Sequence, residues 1–208
     1  MDYSALFKSR QAGFRVFGTI YQLPIVSSAY DFLRRSYHGG RVLDVGAGVD
    51  KTLKTALGLP DEAYAALDND PAGDFDYRSP ADIPPDAKFD WIVLNQLVEH
   101  LTVAQNFALL EGLRPHLSPA GKLVITTPNI FHPNRFWGDP THVTPWGHLA
   151  LYGLVQNCGY EVQAIYRYSK NRRPLDPLTW LVERLMRRLY RIDWCDSILL
   201  VAVCAGSP

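Results

Sequence analysis

Three carboxylates end or follow short apolar segments of the chain, where ligand-binding side chains commonly lie. Asp44 precedes a turn that contains Gly46 and Gly48. Asp68 ends the next apolar segment, and Asp82 follows a further extended one. In open α/β sheets ligands bind beyond the carboxyl ends of strands, where a carboxylate can accept hydrogen bonds from ribose hydroxyls. Carboxylates attract a cationic nucleoside and repel a pyrophosphate, so this pattern predicts Asp68 on a ribose, Asp82 near an adenine amine and Asp44 near a cationic group.

The glycine turn favours some ligands over others. Gly46 and Gly48 remove side chains where the backbone must turn and approach a ligand, although a tight strand-to-helix turn without a ligand has the same pattern. A dinucleotide site has a third glycine in G-x-G-x-x-G. This chain has Lys51 at that position, preceded by Asp50, and it has no P-loop pattern. A nicotinamide-dependent dehydrogenase is therefore disfavoured.

Residues 128–148 contain hydrogen-bonding and aromatic side chains that suit a carbohydrate or another polyhydroxylated acceptor. They are Asn129, His132, Asn134, Arg135, Trp137, Asp139, His142, Trp146 and His148. A loop of this length inside a compact domain usually has a function. Asp139 can fix the tautomer of His142 and raise its basicity, so that the imidazole takes a proton from an acceptor hydroxyl. In the alternative, Asp139 caps a turn before Pro140 and His142 packs beneath the loop.

His100 is the third candidate for catalysis. Histidine as a residue type can exchange protons near neutral pH, so this position suits a general base or a substrate contact. The alternative is a helix-capping or packing role. Its neighbour Glu99 is expected to be a solvated or structural carboxylate. No carboxylate–histidine spacing supports a metal site at His132 or His148, and the three cysteines lack a zinc-binding spacing. We therefore expect no metal.

Alternating apolar strands and helices must position these residues. The pattern predicts strands at 41–45, 63–67, 89–94, 122–127, 161–168 and 197–204, and helices at 51–59, 96–113, 147–157 and 178–192. A turn is predicted at 118–121 and a helical segment at 1–40. This alternation is typical of an α/β fold with a largely parallel sheet. The helical excursion before the last strand is consistent with an antiparallel final strand.

Composition indicates one ordinary globular chain. The 208 residues are 47% hydrophobic and 20% charged, which excludes a disordered or collagen-like chain. Lys+Arg and Asp+Glu number 21 each, and this balance provides no chain-wide basic field for duplex nucleic acid, so we expect no nucleic-acid partner. No apolar run approaches the length of a membrane span, and the N-terminus does not resemble a signal peptide. With three widely spaced cysteines, these features favour a cytoplasmic location.

Five segments, in order and spacing, resemble the class I S-adenosylmethionine-dependent methyltransferases, in particular their type 11 and type 23 group. They are VLDVGAG at 42–48, ALD at 66–68, ADIP at 81–84, FDWIVLNQLVEHL at 89–101 and LRPHLSPAGKL at 113–123. The resemblance spans roughly residues 41 to 168. It implies a Rossmann-like sheet of seven strands, mostly parallel, with helices on both faces and an antiparallel last strand. It also implies methyl transfer with S-adenosylmethionine as cofactor.

The resemblance assigns cofactor contacts to residues of this chain. The implied contacts are Asp44, Gly46, Ala47, Gly48, Asp68, Asn69, Asp82, Ile83 and Asn95. The glycine turn would face the methionine part, Asp68 the ribose hydroxyls, and Asn95 the methyl-donor end. Two departures bear on the shape of this pocket: Asp50 stands where many members have a small residue, and residues 71–74 leave little room for the helix after the second strand.

The segment GDPTHVTP at 138–145 resembles methyltransferases that act on bacterial surface glycans and related metabolites. We therefore expect O-methylation of a small-molecule or glycan acceptor. The expected organisation is an N-terminal helical segment at 1–40 and a methyltransferase domain at 41–208, with an acceptor loop at 128–148 and a cationic helix at 174–193. The alternative is a non-catalytic module of the same fold that docks on a partner or membrane, and the oligomeric state is not predicted.

The cationic helix has two interpretations. Residues 170–191 contain seven basic and two acidic side chains, and the helix has an apolar face opposite its arginines. In one interpretation the apolar face packs on the core and the basic face is solvated. In the other, the helix meets anionic lipid or the phosphates of a lipid-linked acceptor, with Lys8, Arg10 and Arg15 adding to the attraction. The second interpretation predicts a peripheral position at the inner face of the membrane.

Overall fold

The structure is a computed structural model that describes residues 3–169 and 176–206. Three basic residues of the predicted cationic segment, Lys170, Arg172 and Arg173, lie outside the described residues, as do positions 174 and 175 at the start of the predicted 174–193 helix. In the described part of the chain, no helix is both long and apolar enough to cross a bilayer.

Seven strands form one sheet, in the order β1-β6-β7-β5-β4-β2-β3. They are β1 (Ile25–Val26), β2 (Val42–Val45), β3 (Tyr64–Leu67), β4 (Phe89–Asn95), β5 (Leu117–Pro128), β6 (Tyr160–Tyr168) and β7 (Ser197–Cys204). Only β7 runs against its neighbours, pairing antiparallel with both β5 and β6. The expected fold class, a mostly parallel Rossmann-like sheet with an antiparallel last strand, is confirmed.

Six α-helices accompany the sheet in the described residues. They are α1 (Tyr3–Phe17), α2 (Ala29–Ser36), α3 (Thr52–Leu57), α4 (Val103–Leu113), α5 (His148–Asn157) and α6 (Pro177–Tyr190). One buried cluster joins Leu43 of β2 to α4 and α5, and a second joins Val42 of β2 to α2 and α3. Both faces of β2 are therefore covered, which explains why this strand is entirely apolar apart from Asp44.

The structure corrects three predictions about elements. The helix predicted at 96–113 begins only at Val103, because the hydroxyl of Thr102 accepts a hydrogen bond from Gln105 N–H and caps it. The turn predicted at 118–121 is an irregular stretch of β5, where the register against β4 shifts. The N-terminal segment contains β1 as well as helices, and two residues are too few for a periodic pattern to reveal.

Helix α6 turns its apolar side to solvent. The side chains of Leu178, Leu181, Val182, Leu185 and Leu189 are all exposed. The opposite side faces the body of the protein, with the Arg187 guanidinium 4.0 Å from the centre of the Tyr21 ring. The interpretation in which the apolar face packs on the core is therefore wrong.

A buried ion pair holds the start of the 129–147 loop. Arg167 Nη1 donates to Asp193 Oδ1 at 2.7 Å, and both side chains are more than nine-tenths buried. Asn129 Nδ2 donates to the other carboxylate oxygen at 2.7 Å. Arg167 also donates to the carbonyl oxygens of Leu23 and Tyr21. Every charge in this network thus has a partner, as burial requires.

Asp193→Asn tests this network. The substitution keeps the shape of the side chain but leaves the buried Arg167 charge without its counter-ion. We expect the free energy of unfolding to fall by about 3–5 kcal/mol, measured by urea denaturation at neutral pH. Asp61→Asn, at an exposed ion pair with Lys54, is the control and should leave stability nearly unchanged. Equal stability of the two variants would contradict the assignment.

Candidate functional site

Three neighbouring parallel strands end at one edge of the sheet. Val45 of β2 lies beside Leu67 of β3 and beside Leu94 of β4. The same edge therefore contains Gly46 and Asp68, which directly follow β2 and β3, and Asn95, which ends β4. This is the place where ligands bind in open α/β sheets, and the parallel register brings the predicted cofactor residues together there.

The glycine turn is linked directly to Asp68. Gly46 (φ +73°) donates its N–H to Leu67 O at 2.8 Å, and Gly48 (φ +62°) donates to Asp68 Oδ2 at 2.9 Å. A Cβ at Gly46 would lie 2.9 Å from Leu97 Cδ1, whereas a Cβ at Gly48 would meet no atom within 4 Å. The left-handed conformation requires glycine at both positions. The open space at Gly48 leaves the backbone accessible to a ligand, and Ala47 between them is half-buried.

Asp44 is a buried carboxyl at the base of this turn. Its side chain accepts a hydrogen bond from the Tyr64 hydroxyl at 2.8 Å. Burial is the main cause that raises the pKa of Asp44 to about 6; the Tyr64 hydrogen bond acts against this shift, and the nearby Asp68 charge adds to it. A cation in front of these two carboxyl groups would relieve both the burial cost and their mutual repulsion.

Asn95 joins the end of β4 to helix α2. Its Nδ2 donates to the Tyr30 hydroxyl at 3.3 Å, and its Oδ1 accepts from Thr126 Oγ1 at 2.8 Å. Tyr30 was missed by the sequence analysis, because its contact with Asn95 joins distant parts of the chain and leaves no local pattern.

The other predicted cofactor residues lie apart from this cluster of contacts. Asp82 Oδ2 accepts from the backbone N–H groups of Arg78 and Ser79 at 3.1 and 2.7 Å, so that oxygen caps its own turn. Ile83 is buried in the core, and Asn69 is exposed. The cofactor roles of these three residues stay predictions.

Residues 68–79 form no helix, as the prolines and aspartates there indicated. Arg78 organises the segment instead: Nη1 donates to Asp70 O at 2.6 Å, Nη2 donates to Gly73 O at 2.8 Å, and the guanidinium lies over the Phe75 ring. On this side of the site, a compact turn stands where the family resemblance implies a helix after the second predicted strand.

A cavity of about 930 Å³ opens beside Asn95. Its wall combines the start of α2, the end of β4 and the 129–147 loop. Three predicted catalytic residues, His100, Asp139 and His142, lie on this wall together with the buried Glu99. Of the loop residues predicted to contact an acceptor, Asn134 and Arg135 also line the cavity.

Asp139 and His142 lie close to each other. His142 Nε2 is 3.7 Å from Asp139 Oδ2, and His142 Nδ1 is 2.8 Å from Phe136 O. Because a carbonyl oxygen can only accept, Nδ1 carries the proton and Nε2 keeps its lone pair in the neutral ring. Asp139 Oδ1 accepts from the backbone N–H and hydroxyl of Thr141. Asp139 therefore caps its own turn, as in the alternative, and also lies beside His142. The tautomer of His142, however, is fixed by Phe136 O and not by Asp139.

His100 lies on the cavity wall with Asp139 and His142, and these three side chains are called the polar wall below. Its Nδ1 lies 3.2 Å from Thr141 O and 3.0 Å from Thr141 Oγ1, and its ring centre is 4.9 Å from that of His142. The same reasoning as for His142 leaves the lone pair on Nε2. Both histidines are thus oriented by the loop.

Glu99 is completely buried, so a solvated role is wrong. Neither carboxylate oxygen has a well-aligned hydrogen-bond donor. Burial raises the pKa of Glu99 to about 7, although interactions with its own backbone N–H and with the Thr127 hydroxyl lower it. Its backbone oxygen accepts from Val143 and Thr144 N–H at 2.7 and 3.0 Å, which ties the loop to this position.

Several loop residues that suited an acceptor have structural roles instead. Asn129 belongs to the buried ion-pair network. Trp146 is buried and donates Nε1–H to Val98 O, and the buried His148 contacts Gly18 O through Nε2. His132 packs its ring edge-on against Trp194. The exposed Trp137 is free to stack on a ligand.

The comparisons agree with this geometry. The family model described as "Methyltransferase domain" matches residues 25–165. None of the curated proteins matches the chain in sequence.

Solved structures with the same fold include an S-adenosylmethionine-dependent methyltransferase from Archaeoglobus fulgidus, at 21% identity and a TM-score of 0.63, covering 97% of this chain and 100% of that one. Another from Mesorhizobium loti has 16% identity and a TM-score of 0.56, covering 83% and 96%. The glycopeptide N-methyltransferase MtfA, complexed with sinefungin, has 15% identity and a TM-score of 0.57, covering 86% and 93%. At these identities the likeness shows the fold.

Asp44→Asn tests the buried carboxyl through pH. The pKa of Asp44 rises from 3.8 to about 6 on folding, so the folded chain binds more protons between these values. The unfolding free energy of the wild type therefore falls as pH rises through this window. The asparagine variant has no carboxyl group at this position and does not lose this free energy. The difference in unfolding free energy, variant minus wild type, should therefore increase by up to about 3 kcal/mol between pH 4 and pH 7. Urea denaturation at both pH values measures the change.

Asp86→Asn, at an exposed carboxyl, is the matched control for the Asp44 experiment. It should follow the wild-type profile throughout. If Asp44→Asn also follows that profile, the burial cost assigned to Asp44 is contradicted.

Proposed function

Because the chain belongs to the methyltransferase-domain family and is an S-adenosylmethionine-dependent methyltransferase, we propose that its acceptor is a hydroxyl group of a sugar, glycan intermediate or similar polyhydroxylated molecule. One observation carries the acceptor proposal. A single cavity joins Asn95, at the expected methyl-donor end, to the polar wall of His100, Asp139 and His142.

The residues at the sheet edge fit the cofactor. Asp68 is half-exposed, and each of its oxygens, although it already accepts one backbone hydrogen bond, has a further lone pair for a ribose hydroxyl. Asp44 and Asp68 supply negative charge for a sulfonium, and the space at Gly48 admits a ligand to the backbone. When bound, S-adenosylmethionine supplies an electrophilic methyl group on a positively charged sulfur.

The polar wall suits a hydroxyl acceptor. Nε2 of His142 is the ring atom left to receive a hydrogen bond from an acceptor hydroxyl, since Nδ1 is held by Phe136 O. Asp139 Oδ2, 3.7 Å from His142 Nε2, would stabilise the ring once Nε2 carries the proton, and His100 offers a second Nε2 atom. With the cofactor held at the sheet edge, its methyl group would be available to the acceptor oxygen, and this wall would receive the proton that the hydroxyl loses. Alignment of the reactants alone can supply up to roughly 7–11 kcal/mol of the barrier reduction.

The surroundings of the site support a polyhydroxylated acceptor. Asn134 and Arg135 line the cavity with amide and guanidinium donors, and the exposed Trp137 on the same loop offers an aromatic plane. We place the enzyme in the cytoplasm, since the chain has three widely spaced cysteines and no disulfide framework.

Asp68→Ala tests the cofactor site. The substitution removes the carboxylate that would accept the ribose hydroxyls and that holds Gly48 N–H. We expect S-adenosylmethionine to bind at least 10-fold more weakly, as measured by isothermal titration calorimetry, because about two charge-assisted hydrogen bonds are lost. Asp86→Ala, an exposed carboxylate elsewhere, is the control. Unaltered binding by Asp68→Ala would reject the ribose assignment.

His142→Gln tests the acceptor wall. The enzyme is incubated with S-adenosylmethionine and panels of sugars, nucleotide sugars and amines, and products are identified by a mass gain of one CH₂. We expect methylation of hydroxyl compounds, and a fall in kcat of about 100-fold in the variant with unchanged cofactor affinity. Methylation of the amines alone, or full activity in His142→Gln, would contradict the proposal.

A further inference from the structure

Three side chains on the wall of the cavity have the atom types and the spacing of a metal site. Glu99, His100 and His142 each offer one ligand atom, and these atoms all lie within 4.8 Å of one another. Glu99 and His100 are neighbours in the chain, but His142 comes from the loop, which explains why no spacing in the sequence indicated a metal. Only the fold brings the three groups together.

Both imidazole rings are prepared as ligands. His142 Nδ1 is held by Phe136 O and His100 Nδ1 by Thr141 O, so each ring has its Nε2 lone pair available. Hydrogen bonds from the second ring nitrogen to a backbone carbonyl are the usual way in which proteins orient metal-binding histidines.

The burial of Glu99 also points to a metal, independently of the spacing of the three groups. Its carboxylate is completely buried, and neither oxygen has a well-aligned donor. Nearby donors such as the Thr127 hydroxyl are poorly aligned with this carboxylate. A buried carboxylate without well-formed hydrogen bonds is costly, and such groups are normally paired or coordinate a metal. Asp139 Oδ2, which lies 3.7 Å from His142 Nε2, adds a further oxygen close to the cluster.

We propose that Glu99, His100 and His142 bind a divalent transition-metal ion at the wall of the acceptor cavity. Two imidazoles and a carboxylate suit manganese, iron, cobalt or zinc ions better than magnesium or calcium ions, which prefer oxygen ligands. Three protein ligands leave coordination positions open toward the cavity. The role of the ion, though not its binding, rests on the proposed function. With the ion bound, both Nε2 atoms are ligands, so the ion takes the place of His142 in holding the acceptor hydroxyl and favours loss of its proton to solvent.

The metal is tested directly with Co²⁺, followed by visible absorption and by calorimetry on the intact chain after treatment with a chelator. We expect one Co²⁺ per chain with absorption typical of mixed nitrogen and oxygen ligation. Glu99→Gln should weaken Co²⁺ binding by at least 10-fold, because loss of a ligand should cost no less than the roughly 10- to 100-fold that loss of an outer hydrogen-bond partner costs. His132→Gln, another loop histidine outside the cluster, is the matched control and should bind like wild type.

Glu99→Gln keeps the volume of the side chain and removes a buried charge, so the variant is expected to fold, and its affinity for S-adenosylmethionine should be unchanged. The proposal is overturned if the wild type binds no Co²⁺, or if Glu99→Gln binds it as tightly as wild type. Failure of the proposed function would instead appear as absent methylation of hydroxyl compounds in the presence of saturating metal.

A second, independent feature is the outward apolar side of α6. Five aliphatic side chains form this stripe, namely Leu178, Leu181, Val182, Leu185 and Leu189, and each is about half exposed or more. The arginines lie along the opposite side and the flanks of the helix, where Arg187 stacks on Tyr21 and Arg184 on Trp180. The helix is thus held with its apolar stripe away from the protein.

The charge of the helix indicates what covers the stripe. From Pro177 to Arg191 the helix and its last cap contain four arginines against one acidic residue, Glu183. An apolar stripe flanked by arginines is the pattern of helices that lie in the interface of an anionic membrane. We infer that this stripe docks on an anionic lipid surface, with the helix lying in the plane of the membrane.

Vesicle flotation tests this surface. We expect the wild type to bind phosphatidylcholine vesicles that contain phosphatidylglycerol, with binding weakened by salt. The double variant Leu181→Asp/Leu185→Asp should bind at least 10-fold more weakly, whereas the apolar control Leu181→Met/Leu185→Met should bind like wild type. Both should keep wild-type affinity for S-adenosylmethionine, which shows that they fold.

Three results would overturn the lipid inference. In the first result the wild type does not bind anionic vesicles, and in the second the aspartate variant binds them as well as the wild type does. In the third result, light scattering shows that the wild type is a dimer and the aspartate variant a monomer, and the wild type does not bind vesicles. A second copy of the chain would then cover the stripe.

Discussion

The cofactor side of the site depends on two carboxyl groups that neighbouring parallel strands bring near each other at one edge of the sheet. Asp44 lies within β2 and is buried, while Asp68 directly follows β3 and is half-exposed. Burial and the neighbouring negative charge both disfavour ionisation of Asp44. A phosphate would increase this cost, whereas a cationic group offsets it. The same arrangement thus disfavours a phosphate at this edge and supports the proposal that a sulfonium lies there.

The proposed acceptor side depends on a long loop that the rest of the protein holds in place. Its start is tied to the buried pair of Arg167 and Asp193 through Asn129. Its later part is tied to the backbone oxygen of Glu99 through Val143 and Thr144. A loop fixed at both ends can present Asp139 and His142 in a constant position, and such preorganisation is what an in-line displacement requires.

Helix α6 illustrates how an amphipathic pattern can be recognised without revealing its orientation. The periodicity of its leucines and arginines predicted the helix and its two faces, and the structure contains the helix at Pro177–Tyr190. The face that points outward is decided by contacts with other parts of the chain, such as the stacking of Arg187 on Tyr21. A helix with its apolar face outward suits an enzyme that meets a second hydrophobic surface.

The sequence by itself determined six of the seven strands and the glycine turn, because buried strands and tight turns leave local patterns of apolar residues and glycines. The antiparallel direction of the last strand was implied only by the family resemblance. The sequence also determined that Asp44, Asp68 and Asn95 belong at one edge, since strand ends of a parallel sheet meet there. Only the tertiary structure decided the contact of Tyr30 with Asn95, the burial of Glu99 and its approach to His142. These features arise from packing between distant segments, and no periodicity along the chain encodes which distant side chains will meet.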